Sequence, residues 1–259
     1  MENMNTKNAY SHIETANRYD VARKLPPQTQ TQWLETLKDS LPQHAITQVL
    51  DLGCGTGRFT TGLSKTFECP VIGVEPSNAM LSVARSQVAP NVEWKLGAAE
   101  EIPLQDEAVD LVFMSQVFHH LVRPGQALRE INRVLTPAGY LAIRNGTLEH
   151  NEDLAWLRFF PGAREIEDER TPSQQEIKAT VCAGSFELIS HQTINQLFAT
   201  SNDEYFEKIS QRGLSALILI GDEAFQSGLQ RFQDWVKEQP GNQPVYEPVD
   251  LFIFQKKCR

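Results

Sequence analysis

The 259-residue chain is poor in cysteine, and the cysteines it has are badly placed. Cys54, Cys69, Cys182 and Cys258 lie far apart, with no CxxC pair and no histidine at ligand spacing. That excludes a disulfide framework and a zinc site, so no metal is expected and the thiols are read as reduced. Long hydrophobic runs are missing too. The longest, Leu214 to Ile220, is broken by Ser215 and is far too short to cross a bilayer, so no membrane partner is expected. The N-terminal Met1-Glu2-Asn3-Met4-Asn5-Thr6 has neither a basic region nor an apolar one, so a cytoplasmic location is the expectation. Positive charge is scarce as well: 24 Lys and Arg against 33 Asp and Glu leave a net charge of −9. Nucleic-acid backbones are neutralised by Lys and Arg, so nucleic acid is not expected as a partner. No internal repeat and no low-complexity linker divides the chain.

What is present is an alternation. The first 45 residues are polar and helical: Leu25-Pro26-Pro27 stops one helix, and Trp33, Leu34 and Leu37 mark the next. From about residue 46, short apolar runs alternate with helical patterns. Strands are read at Gln48–Leu52, Val71–Glu75, Val92–Lys95, Val109–Met114 and Tyr140–Ile143. Near-continuous apolar strands separated by helices mean a parallel sheet covered on both faces. Beyond residue 146 the rhythm breaks. Ser173 and Glu176 have capping-box spacing for a helix to about Ala183, closed by Gly184. A strand near 186–194, helices near 202–212 and 222–238, and a last strand at Val249–Phe254 follow. The chain therefore reads as a helical segment 1–45 followed by one α/β domain, 46–259. Helical insertions are placed at about 150–172 and 200–240.

Asp51-Leu52-Gly53-Cys54-Gly55-Thr56-Gly57 follows the first strand and precedes a helix starting near Phe59. Glycines there permit a sharp turn and the close approach of a ligand, and the helix N-terminus offers unpaired N–H groups. The second strand ends in Glu75, a carboxylate placed to accept hydrogen bonds from both hydroxyls of an adenosine ribose. The spacing is G-x-G-x-G, and Arg58 stands where a dinucleotide fingerprint wants its third glycine. That disfavours an NAD(P)-dependent oxidoreductase, and Asp51 points to a ligand bearing an ammonium group.

The segment Val49 to Gly57 resembles motif I of the class I S-adenosylmethionine-dependent methyltransferases, type 11 (the UbiE-like, small-molecule branch). Three further stretches are similar to that family in the same order: Gly97–Leu104, Val109–Ser115 with Phe118-His119-His120-Leu121, and Leu128–Gly139. The resemblance covers about residues 48–145. It implies a Rossmann-like, seven-stranded α/β sheet, mostly parallel with an antiparallel last strand, and helical additions that form a lid. It also implies S-adenosylmethionine as cofactor and methyl transfer to an O, N or C atom of a small-molecule acceptor. Gly53, Cys54 and Gly55 would lie against the methionine part, with Asp51 beneath the loop. Glu75 would hold the ribose, Pro76 and Met80 the adenine side, Ala99 and Glu100 the adenine edge. Ser115 and Gln116 would close the site beside the sulfonium. Ala98 departs from the family's usual Asp, and a catalytically silent cofactor-binding protein is the alternative this leaves open.

At the acceptor end the residues say less. His119 and His120, just past the fourth strand, are the candidates for a general base, and His120 also for substrate contact; no catalytic residue is assigned. Tyr19 to Pro26 resembles a Y-D-x-x-R-x-x-P stretch that folds over the cofactor in related enzymes. There Arg23 would meet the cofactor carboxylate, and Tyr10 or Tyr19 would line the acceptor pocket. Trp156 is a further candidate wall, although Trp156, Phe159 and Phe160 at helical spacing also read as plain core. His12, His44, His150 and His191 have no motif around them and are expected to be exposed. The Glu165–Glu169 run is expected to be a solvated face. Oligomeric state is not legible.

Overall fold

A computed structural model of the chain describes residues 13–41, 46–239 and 242–257. Helices α1 (Ile13–Arg23) and α2 (Pro27–Asp39) lead into β1 (Val49–Leu52), α3 (Thr60–Phe67), β2 (Val71–Glu75), α4 (Asn78–Arg85) and β3 (Val92–Leu96). Then come β4 (Val109–Ser115), α5 (Pro124–Val134) and β5 (Leu135–Asn145). After β5 lie two short 3-10 turns, α6 (Ala163–Arg170), α7 (Gln174–Ala183) and β6 (Phe186–Ala199). Helices α8 (Asn202–Ser210), α9 (Ser215–Leu219) and α10 (Asp222–Glu238) precede β7 (Val245–Lys256).

The seven strands form one sheet in the order β3-β2-β1-β4-β5-β7-β6. The first five are parallel, and β7 runs antiparallel to both β5 and β6. All four residues of β1 are buried, as expected of a central strand covered on both faces. The sequence turns to β2 on one side of β1 and to β4 on the other. Their carboxyl ends therefore splay around β1 and open the crevice in which ligands bind in such sheets.

Period-2 alternation divides the core between the two faces of the sheet. Leu111 and Phe113 face one side with Trp33, Leu34 and Leu37 of α2, Leu63 of α3, and the apolar residues of α8 to α10. Val112 and Met114 face the other, against α5 and α7. On α5 the buried residues are Ala127, Leu128, Ile131 and Val134, a stripe at helical spacing. The Ser173–Glu176 capping box forms as the sequence predicts, each side chain satisfying the other's backbone N–H.

The edge strands are longer than expected. β6 continues to Ala199 and pairs with β7 through most of its length. The polar Asn195 and Gln196 hide this continuation from a search for apolar runs, because an antiparallel edge needs only one covered face. His150 and His191 correct the expectation of exposure. Their Nε2 atoms lie 3.3 and 2.9 Å from the carboxylate of Asp250, which is fully buried. Thr147 Oγ1 and Thr193 Oγ1 also donate to it, at 2.5 and 2.6 Å. A carboxylate on the inner face of β7 is tolerated only when donors surround it. His12, His44 and Cys258 lie outside the described residues.

Candidate active site

The glycine loop occupies the crevice at the carboxyl end of β1, and its backbone explains why glycine is needed. Gly53, Gly55 and Gly57 have φ of 72°, 56° and 83°, the left-handed region costly to other residues. Their surroundings differ. A Cβ at Gly53 would meet Val117 Cγ2 at 2.5 Å, and one at Gly57 would meet Trp94 at 2.5 Å. A Cβ at Gly55 would meet nothing within 4 Å, so this glycine faces open space over the loop.

Two carboxylates flank the loop. Glu75, 8% exposed at the end of β2, accepts the Ser77 N–H at Oε1 (2.9 Å) and the Gly55 N–H at Oε2 (3.0 Å). Each oxygen retains a free lone pair. Burial raises its carboxyl above the ordinary value, and those two amides oppose the rise. Asp51 is buried beneath the loop and accepts from Thr60 Oγ1 at 2.6 Å. Burial pushes its carboxyl up to about 7, against the pull of Thr60 and Arg58. Met80 is buried at the start of α4, held there by the Ser77 cap, while Pro76 is exposed beside it.

Across the crevice, β4 ends in Ser115, and Gln116 has a φ of 60°. That strained residue is fixed at both ends: its N–H donates to the Arg144 carbonyl at 2.7 Å, and its Oε1 accepts from Gly146 N at 3.2 Å. Strain of this kind persists where the surroundings over-determine it. Ala99 and Glu100 are buried in the turn after β3. The Glu100 carboxylate faces the amides of Val122 and Arg123, at 3.2 and 3.4 Å, and so ties that turn to the one after β4.

The N-terminal helix closes over the loop. Asp20 accepts from Thr56 Oγ1 at 2.7 Å, and the Arg58 guanidinium donates to the Arg23 carbonyl. Tyr19, Asp51, the Gly53–Thr56 backbone, Arg58, Phe59 and Ser115 line a cavity of about 20 Å³, room for a single water. Arg58, at the position of the third dinucleotide glycine, fills the space between α1 and the loop. On its other side α1 packs against the chain before α9, where a Cβ at Gly213 would meet Ala22 at 2.6 Å.

His119 and His120 follow β4 in a short 3-10 turn with ring centroids 4.1 Å apart. His119 Nδ1 lies 3.4 Å from Asn145 Oδ1. Burial, then the charges of His120, Arg170 and Arg23, hold His119 well below the ordinary histidine value. Burial with Arg170 and Arg23 brings His120 down to about 4. Trp156 is not drawn to the loop; it is 3% exposed and packs on Phe160 in the common core. Tyr10 lies outside the described residues.

One residue that the sequence did not single out joins these parts. Arg144 at the end of β5 is 2% exposed, donates to Ser115 Oγ (3.1 Å) and Gln196 Oε1 (2.5 Å), and lies 4.4 Å from the Trp33 ring. An arginine in an otherwise apolar parallel strand is the one signal that marks it in the sequence. Among the described residues no cluster of His, Cys, Asp and Glu has the form of a metal site, and no helix is long and apolar enough to cross a membrane.

Comparison with known proteins agrees with this geometry. Residues 50–143 match the family model described as a methyltransferase domain. An uncharacterized methyltransferase of Mycobacterium tuberculosis is 40% identical over 140 residues, 54% of this chain and 53% of that protein. A ubiquinone/menaquinone biosynthesis C-methyltransferase of Rubrivivax gelatinosus is 37% identical over 112 residues, 43% of each chain. The chain thus spans about half the length of the curated relatives it matches. A crystal structure from Anabaena variabilis, attributed to a methyltransferase of antibiotic biosynthesis, superposes with a TM-score of 0.71. It is 20% identical, over 89% of this chain and all of that one, a likeness of fold. Glycine loop, acidic end of β2, strand order and sequence match converge: residues 50–143 are similar to the methyltransferase-domain family, and the chain has a class I methyltransferase fold.

Proposed function

We propose that the chain binds S-adenosylmethionine in the crevice above β1 and transfers its methyl group to an O, N or C atom of a small-molecule acceptor. The observation that carries this reading is the pairing of a buried Glu75, with lone pairs to spare, and a Gly55 whose missing Cβ leaves the loop open. These residues fit the cofactor: Glu75 for the ribose hydroxyls, Asp51 for the amino group, Gly53 to Gly55 for the methionine part. Pro76, Met80, Ala99 and Glu100 would border the adenine, Ser115 and Gln116 the sulfur, and Arg23 the carboxylate. When bound, S-adenosylmethionine supplies an electrophilic methyl group on a positively charged sulfur.

The chain's own task is then to align the acceptor, exclude water and remove a proton where the acceptor carries one. Both His119 and His120 are held below the ordinary histidine value, which favours the uncharged imidazole of each at neutral pH. With His120 held near 4 it is a weak base, suited to acceptors that are already acidic or ionised. Helix α1 acts as a lid over the loop, while α2 and α8 to α10 cover one face of the sheet. The Thr56–Asp20 bond holds α1 against the loop, and its release would widen the crevice for a nucleoside. A silent cofactor-binding protein is the second reading, favoured by Ala98 and the weak basicity of His120.

Titration calorimetry with S-adenosylhomocysteine tests the cofactor assignment. Glu75→Ala is expected to weaken binding by about 1–3 kcal/mol, the range for hydrogen bonds to a charged group. Unchanged affinity defeats the ribose assignment. Cofactor turnover across a library of small metabolites separates the active from the silent reading.

A further inference from the structure

Arg170, the last residue of α6, is a buried donor without a receiver. Its Nη1 and Nη2 atoms are both shielded from solvent and neither has a hydrogen-bond partner among the described residues. Buried polar atoms are nearly always satisfied, and a guanidinium fork with both outer nitrogens orphaned is a strong exception. Nor does any ion pair compensate it among the described residues.

Other arginines share its surroundings although the protein as a whole is acidic. Arg170 and Arg23 together act on His119, His120 and Glu167, which places both guanidinium groups around the histidine pair beyond β4. Arg23 Nε and Arg144 Nε are likewise buried and unpartnered. Two acids share this environment, Glu167 and Glu247, and burial raises both, the latter to about 7. Glu167 belongs to the acidic run expected to be solvated, and it turns inward here.

One anion, the cofactor's carboxylate, is assigned to Arg23. Arg144 is engaged by Ser115, Gln196 and the Trp33 ring. Arg170 remains, on the histidine side of the crevice. We propose that Arg170 is an acceptor-recognition residue whose fork takes an oxyanion, a carboxylate or a phosphate monoester, carried by the methyl acceptor beside His119 and His120. The planar fork of arginine matches either group through two parallel N–H···O bonds. This rests on the methyltransferase reading and narrows its acceptor from any small molecule to an anionic one.

The test is calorimetric titration of the full chain saturated with S-adenosylhomocysteine. The probes are succinate and phenyl phosphate, each with a neutral counterpart, succinamide and phenol. At least one anion is expected to bind ten times more tightly than its neutral counterpart, and which one does so separates carboxylate from phosphate acceptors. Arg170→Met should weaken that anion at least tenfold while S-adenosylhomocysteine affinity stays within twofold. Arg170→Lys, which keeps the charge and loses the fork, should fall between the two and serves alone if the methionine variant does not fold. The inference is overturned if neither anion is preferred over its neutral counterpart, or if both variants bind the anions like the native chain. It is also overturned if the loss appears in S-adenosylhomocysteine affinity instead, for the fork then serves the cofactor. If S-adenosylhomocysteine does not bind the native chain, the methyltransferase reading itself fails and takes this inference with it.

Discussion

The three glycines of the loop separate stability from binding, and substitution by alanine reads the two apart. At Gly57 alanine meets two penalties. A φ of 83° puts a side chain in the left-handed region, at a cost of about 1–2 kcal/mol. Its Cβ would also lie 2.5 Å from the Trp94 ring, and overpacking of that kind costs about 1–3 kcal/mol more. Gly57→Ala should therefore destabilise by about 2–5 kcal/mol. At Gly55 only the backbone penalty applies, because the Cβ meets no atom within 4 Å. Gly55→Ala should cost about 1–2 kcal/mol, or about 2–8 °C in melting temperature for a chain of this size.

Ligand response reverses that order. A saturating ligand raises stability by about 2.7 kcal/mol at one hundred times its dissociation constant. Thermal melting with and without S-adenosylhomocysteine should therefore give a clear upward shift for the native chain. Gly55→Ala should lose most of that shift, since the new methyl group stands in the space the ligand needs. Gly57→Ala, where it still folds, should keep a shift because its Cβ points into the protein. A Gly55→Ala variant that binds S-adenosylhomocysteine within twofold of the native chain refutes the claim that this glycine faces the ligand.

Two predictions concern the scaffold. Burial alone would raise Asp250, but hydrogen bonds from Thr147, Thr193 and His191, with the charge of His150, hold its carboxyl below the ordinary value. Its contribution is therefore fully present above about pH 4 and is lost as pH falls through the depressed folded value. Asp250→Asn should flatten the acid limb of stability against pH in denaturant titrations; an unchanged limb removes Asp250 from the account of acid unfolding. Ser173→Ala should cost about 1 kcal/mol by opening the capping box of α7, read from the urea midpoint. S-adenosylhomocysteine affinity should not change, and loss of affinity would mean that α7 is coupled to the crevice.

The part of the molecule legible in the sequence is the part whose residues act locally. β1, the glycine loop and Glu75 lie within 27 residues of one another, and their order along the chain is their order around the crevice. The capping box needs residues three apart. The first five strands were readable because burial on both faces makes them continuous apolar runs. β6 was only partly readable, since an edge strand with one exposed face mixes polar residues into the run. Asp250 and its histidines were missed for another reason: His191 reaches Asp250 through the β6–β7 pairing, and His150 reaches it from the 3-10 turn after β5, so three separate segments must meet.

The acceptor end shows the same limit at larger scale. Arg23 ends α1, Arg144 ends β5 and Arg170 ends α6, so no window of sequence contains two of them. The net charge of −9 points away from an anion, yet it describes the solvated surface, where both signs are screened. Inside the crevice burial weakens the ionisation of carboxyls such as Glu247 and Glu167, while guanidinium groups keep their protons. An acidic chain can therefore still bury arginines close together. Which side chains the α1, α6 and β5 ends turn inward is a property of the tertiary packing. Composition argues against nucleic acid and says nothing against a small anion, and the unpartnered fork of Arg170 is where the two statements part.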